Sequence, residues 1–124
     1  MGLFFPEPLR DAQEIYVNTS DGVRIACNHY KRGHGTLVVL VHGWMMSKDS
    51  AVFRAMGSEL AKNYDVAAID LRGHGRSSGH FHFTTHEEKD VAAIVECFRP
   101  EYSQVYLIGF SLGAALVILT ASAT

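Results

Sequence analysis

Cysteine is nearly absent from this sequence, and what it has cannot staple a fold. Cys27 and Cys97 stand far apart without metal-type spacing, so a disulfide framework is not expected and an apolar core role is. Charge of either sign is not in excess. Eleven Lys and Arg against thirteen Asp and Glu leave a net charge of −2, which provides no basic footprint for nucleic acid or for an anionic membrane surface. The start, MGLFFPEPLRD, has no basic leader, and its apolar run ends at Pro6, so it does not read as a signal peptide. Pro6 also breaks the myristoylation pattern. The expected location is the cytoplasm. Repeats, low-complexity tracts and linkers are missing as well. With 124 residues, 48% hydrophobic and 19% charged, the chain has the composition of one modest globular domain.

One stretch lacks charge altogether. Val105–Thr124 (VYLIGFSLGAALVILTASAT) contains no Asp, Glu, Lys or Arg. It is long enough to cross a bilayer, and its glycines fit the G-x-x-x-G face of membrane helices. The same glycines fit G-x-S-x-G, the turn that presents a nucleophilic serine. The internal pattern favours the turn. Val105–Ile108 is short and β-favouring, Gly109 and Gly113 bracket Ser111, and the polar tail carries no basic or aromatic anchor. No membrane association is expected.

The rest of the chain alternates strand and helix signals. Gln13–Thr19 and Val23–Lys31 each alternate apolar and polar residues around Asp21-Gly22, which predicts an antiparallel hairpin with one wet face. Thr36–Val41 (TLVVLV) is continuously apolar, as expected of a strand covered on both faces. Ser50–Asn63 carries Val52, Phe53, Met56 and Leu60 at helical spacing, with Ser47, Asp49 or Ser50 available as N-cap. Asp65–Leu71 is a second buried strand, followed by the glycine-rich loop RGHGRSSG. Thr85 and Glu88 form a capping-box pattern, and Val91, Ile94, Val95 and Phe98 make the buried stripe of the helix it opens, which Pro100 stops. Gln104–Ile108 predicts a third buried strand, and a buried helix runs from Leu112. The result is an α/β three-layer sandwich with a mostly parallel sheet, an antiparallel N-terminal hairpin, about five strands and three helices.

A serine hydroxyl needs exposure, a neighbouring base and a tight turn to act as a nucleophile. The glycines around Ser111 let strand and helix backbones approach, and the helix N-terminus beneath offers N–H groups to developing negative charge. LVVLVHGW (37–44), DLRGHGRSSG (70–79) and GFSLG (109–113), in that order, resemble the N-terminal part of the α/β-hydrolase superfamily over nearly all of residues 13–124. The resemblance implies Ser111 as nucleophile and backbone N–H groups of Trp44 and Leu112 as oxyanion donors. It makes His42 and Gly43 structural residues of the oxyanion loop rather than a catalytic pair, and Gly109 and Gly113 structural residues of the turn. It also implies that Asp70, Arg72, Gly73 and Gly75 stabilise the loop after the fourth strand. Trp44 is bulkier than the residue often found at its position. Family members that open epoxides or remove halides generally carry aspartate where this chain has Ser111. Serine points instead to acyl transfer from a small-molecule ester, thioester or amide, with no cofactor.

Two further features take blander readings. His80, His82 and His86 form H-x-H-x3-H, but without cysteine or acid ligands of defined spacing they read as solvated loop histidines, so no metal is expected. Met45 and Met46 read as pocket wall or core.

The last absence bears on catalysis. Of the thirteen residues after Ser111 none is Asp, Glu or His, whereas the family order is Ser, then Asp or Glu, then His. The expectation is a single N-terminal portion of a hydrolase domain, residues 1–124, lacking the C-terminal strands and an intact triad. The alternative is a non-catalytic, truncated hydrolase-like domain that binds a partner or ligand. Either way the strand at 104–108 becomes an open apolar edge, through which self-association is expected.

Overall fold

The computed structural model describes residues 12–83 and 85–123; the segment on which the leader reading rests lies outside them. In chain order the elements are β1 (Gln13–Asn18), β2 (Arg24–Tyr30), β3 (Thr36–Val41), α1 (Ala51–Leu60), β4 (Asp65–Ile69), α2 (Glu88–Phe98), a 3-10 turn (Arg99–Glu101), β5 (Gln104–Gly109) and α3 (Leu112–Ala123). The five strands form one sheet in the order β1-β2-β4-β3-β5. β3 pairs in parallel with β4 and β5, while β1–β2 and β2–β4 are antiparallel.

The unbroken apolar run of β3 follows from its central position. Leu37, Val39 and Val41 pack on one face with Val91, Ile94, Val95 and Phe98 of α2 and Leu116 of α3. Val38 and Leu40 pack on the other with Phe53 of α1 and with Val66 and Ala68 of β4. Alternating side chains thus serve two cores, and neither face tolerates a polar residue. Helices lie on both faces, as expected. Ser50 is the N-cap of α1, its hydroxyl accepting from the Phe53 N–H.

Four expectations need correction. The hairpin has no wet face along β2, which is buried from Ile25 to Tyr30 because β4 closes its second edge. The capping box at Thr85 and Glu88 does not form. The Thr85 hydroxyl donates to the His82 carbonyl, and Glu88 is the first helical residue instead of the third. Val52, one of the four apolar residues at helical spacing in α1, is exposed rather than packed with Phe53. β5 and α3 are only half covered: Tyr106, Ile108, Ile118 and Leu119 are exposed, since α1 lies over the centre of the sheet and α3 buries only the side bearing Gly113, Leu116 and Thr120.

Among the described residues no helix is long and apolar enough to cross a membrane. The uncharged run divides instead into β5 and α3 at a sharp turn.

Candidate active site

Ser111 occupies that turn. β5 ends at Gly109, the Phe110 N–H donates to the Val41 carbonyl (3.0 Å), and α3 begins at Leu112. Ser111 itself has φ +57°, the left-handed region that residues with a Cβ enter rarely and at some energetic expense. This conformation projects the serine from the C-terminal end of the sheet, where it is exposed, and no side chain among the described residues bonds its hydroxyl.

The flanking glycines are required by close approach. A Cβ on Gly109 would run into the Gly113 carbonyl, and one on Gly113 would lie 2.5 Å from the carbonyl oxygens of both Val41 and His42. Strand, turn and helix are therefore in backbone contact, which fixes the direction in which Ser111 points.

The loop after β3 lies against the serine. A Cβ on Gly43 would sit 3.1 Å from the Ser111 Cβ. Gly113 N–H donates to the Phe110 carbonyl and Ala114 N–H to the Ser111 carbonyl. By contrast, no acceptor among the described residues pairs with the N–H of Trp44 or of Leu112. Two backbone amides, one in the loop after β3 and one following Ser111, thus have no acceptor among the described residues. The N-terminus of α3 adds its positive dipole end at the same point.

Two histidines hold this loop from behind. The Leu71 N–H donates to His42 Nε2 (3.0 Å), so His42 carries its proton on Nδ1, which donates to the Gly43 carbonyl (2.6 Å). The Met45 N–H donates to His74 Nε2 (2.9 Å), and His74 Nδ1 donates to the Arg72 carbonyl (3.1 Å). The rings lie 4.9 Å apart. Burial pushes the His42 pKa down, keeping the ring neutral, and both of its nitrogens are engaged. His42 is consequently a clamp with no free nitrogen to take a proton from Ser111.

A buried ionic cluster lies beneath the clamp. Asp70 accepts from the N–H of Lys48 (2.8 Å), the Ser47 hydroxyl (3.2 Å) and the N–H of Arg76 (2.9 Å), locking both loops together. The Lys48 side chain is fully buried, with Nζ bonding Glu14 (2.7 Å) and Asp49 (2.8 Å). Burial alone would push Lys48 down, but those two carboxylates outweigh it and the net direction is up. Arg72 spans Asp21 of the hairpin turn and Asp90 of α2. Asp70 and Arg72 therefore stabilise the loop after β4. Lys48 escaped the sequence reading, because a lysine in MMSKDS looks like any solvated loop residue.

The remaining candidates fall elsewhere. Met45 is exposed and Met46 partly so, and Met46 Sδ takes the Gly43 N–H (3.4 Å). His82 and His86 lie tilted against each other with centroids 4.4 Å apart, and His86 Nδ1 bonds the Thr85 hydroxyl. Among the described residues no three His, Cys, Asp or Glu side chains are grouped as metal ligands. A His29–Tyr102–Asp65 chain (2.9 and 2.6 Å) lies at the opposite end of the sheet, where Asp65 also takes the Arg32 and His34 N–H groups.

Comparison with known proteins agrees with this architecture. The sequence profile of the alpha/beta hydrolase fold matches residues 36–123. A non-heme haloperoxidase of Rhodococcus erythropolis is 37% identical over 82 residues, 64% of this chain and 29% of that protein. A pimeloyl-[acyl-carrier protein] methyl ester esterase of Xanthomonas campestris is 36% identical over 92 residues, 74% of this chain and 33% of that protein. An esterase structure from Pyrococcus furiosus superposes with a TM-score of 0.84 at 27% identity, covering 96% of this chain and 50% of the other. The chain thus spans about a third of the length of these curated relatives.

Proposed function

The chain belongs to the α/β-hydrolase fold family, and from that premise we propose that it carries the nucleophile and oxyanion site of a serine hydrolase acting on an ester, thioester or amide. The observation that carries this reading is the left-handed, exposed Ser111 between two unpaired amides. The fold alone does not choose a reaction, so the weight rests on that geometry.

In the proposed reaction Ser111 Oγ attacks the substrate carbonyl carbon and gives up its proton to a base. The carbonyl oxygen, now an oxyanion, accepts hydrogen bonds from the Trp44 and Leu112 N–H groups, each donor of this kind being worth roughly 10²–10³ in rate. Collapse expels the alcohol, thiol or amine, which takes up the proton. Water then hydrolyses the acyl-serine by the same path. His42 and His74 are committed to the clamp, so neither serves as the base in this reading. The free thiols of Cys27 and Cys97 suit the reducing cytoplasm, where we place the protein.

A fluorophosphonate probe tests this on the 124-residue chain and on a form extended past Thr124. Labelling of the extended form that disappears in Ser111→Ala is expected. An extended form that includes a following Asp or Glu and His yet resists the probe would favour the non-catalytic, ligand-binding alternative.

A further inference from the structure

Beside Ser111 lies an aromatic surface that the acyl-transfer chemistry does not use. Trp44 and Phe83 face each other at 5.5 Å between ring centroids, 57° apart in plane. They remain 54% and 59% exposed, so their contact buries little of either ring. Phe83 also has φ +53°, an unfavourable conformation for a bulky residue, with little burial to offset it.

Other rings pack against the pair. Phe81 stands edge-on to Phe83 (4.8 Å) and to His74 (4.9 Å), and His74 holds the Met45 N–H. A continuous line of rings thus runs from the buried clamp out to the surface. Trp44 follows Gly43, which lies against Ser111, so the pair is carried on the loop next to the serine. Trp44, Met45 and Phe83 bring no charge to this surface, which suits a neutral apolar group.

We propose that Trp44 and Phe83 form a stacking platform for a flat aromatic group of the substrate, making aromatic esters the class this site prefers. This rests on the serine-hydrolase reading for the word substrate, but the platform can be tested without turnover. Aromatic pairs gain a geometry-dependent attraction beyond area burial, which a saturated ring of similar size lacks.

Trp44 is the single tryptophan, so its indole N–H resonance reports directly on the platform. The 124-residue chain would be titrated with methyl phenylacetate and with methyl cyclohexylacetate. The expected result is a saturable ring-current shift with the phenyl ester and at least about threefold weaker binding of the cyclohexyl ester. Phe83→Ala should weaken phenyl-ester binding about three- to tenfold, and Phe83→Tyr should retain it. Equal affinities for the two esters, no saturable shift, or an indifferent Phe83→Ala whose spectrum is otherwise native would overturn the platform. Binding with phenyl preference in a protein whose extended form never reacts at Ser111 supports the platform and overturns the hydrolase reading. Reaction at Ser111 without phenyl preference does the reverse.

Discussion

Replacing Arg72 with methionine should be among the most damaging single changes this fold can suffer. The guanidinium is almost wholly buried and bonds Asp90 through Nε (2.9 Å) and Nη2 (2.7 Å), while Asp90 is fully buried. It also reaches Asp21 at 2.7 and 3.0 Å. Methionine fills much of the same volume, so cavity formation is minor and the electrostatic term decides. Removing one member of a buried pair leaves the other charge uncompensated, at a cost of about 3–5 kcal/mol. Against a typical domain stability of about 5–15 kcal/mol that is a large fraction. The loss should depend on pH. Burial already pushes the Asp90 pKa up, and Arg72 opposes that rise. Without Arg72 it rises further above the unfolded value of about 3.9. The penalty is therefore full above the folded pKa and is relieved as pH falls through it, by up to about 1.4 kcal/mol per pH unit. Urea titrations of wild type and Arg72→Met at several pH values measure this directly. Arg72→Met with Asp90→Asn should recover part of the loss, since the amide removes the unpaired charge while its oxygen still accepts the buried N–H of residue 72. A loss below about 1 kcal/mol for Arg72→Met, or a gap that ignores pH, would refute the reasoning.

Three further outcomes are expected. Gly113→Ala gains about 1 kcal/mol of helix propensity but drives a Cβ against the Val41 and His42 carbonyls, an overpacking costing roughly 1–3 kcal/mol, so the urea midpoint should fall; a rise would contradict the tight turn. His42 and His29 both have pKa values depressed by burial, so their contribution is complete above the unfolded value of about 6.5 and is lost as pH falls from there towards the folded values. The urea midpoint should decline below about pH 6.5, before the carboxylates titrate; a flat profile down to about pH 5 would show that the rings are not held neutral. Tyr106 and Ile108 expose apolar surface on β5, which pairs only with β3 among the described strands, and we expect self-association there. Light scattering at high concentration should detect it and Ile108→Lys should reduce it, whereas a monodisperse wild-type monomer would end the idea.

What could be read in advance divides by the range of the interaction. β3 was legible because burial on two faces forces an apolar residue at every position, a signal written within six residues. The Ser111 turn was legible for a similar reason: Gly109 answers a contact with backbone four and five residues away, although Gly113 answers the end of the neighbouring strand. β2 was misread because Asn28 and His29 look solvent-facing. Their partners, Asp49 and Tyr102, lie 21 and 73 residues along the chain, and nothing local announces them. Thr85 failed for a local reason, since its hydroxyl bonds the His82 carbonyl three residues back instead of capping the helix.

The same division runs through the site. Short-range signals name Ser111 and its glycines, but the geometry of the oxyanion side is fixed by contacts that no local pattern encodes. Gly43–Met46 is a short loop with a left-handed Met45 (φ +61°), and such a loop keeps one conformation only if its surroundings over-determine it. The surroundings do so from several directions. Leu71 fixes His42, His74 fixes Met45, Asp70 takes the Lys48 N–H, and the Lys48 ammonium reaches back to Glu14 of the hairpin. A chain of hydrogen bonds and ion pairs therefore connects β1 to the loop that carries Trp44, although no residue of β1 carries any part of the motif. Lys48 then acts at a distance. Its removal would loosen the placement of Trp44 N–H relative to Ser111 while leaving the serine turn intact, because Gly109 and Gly113 hold that turn independently.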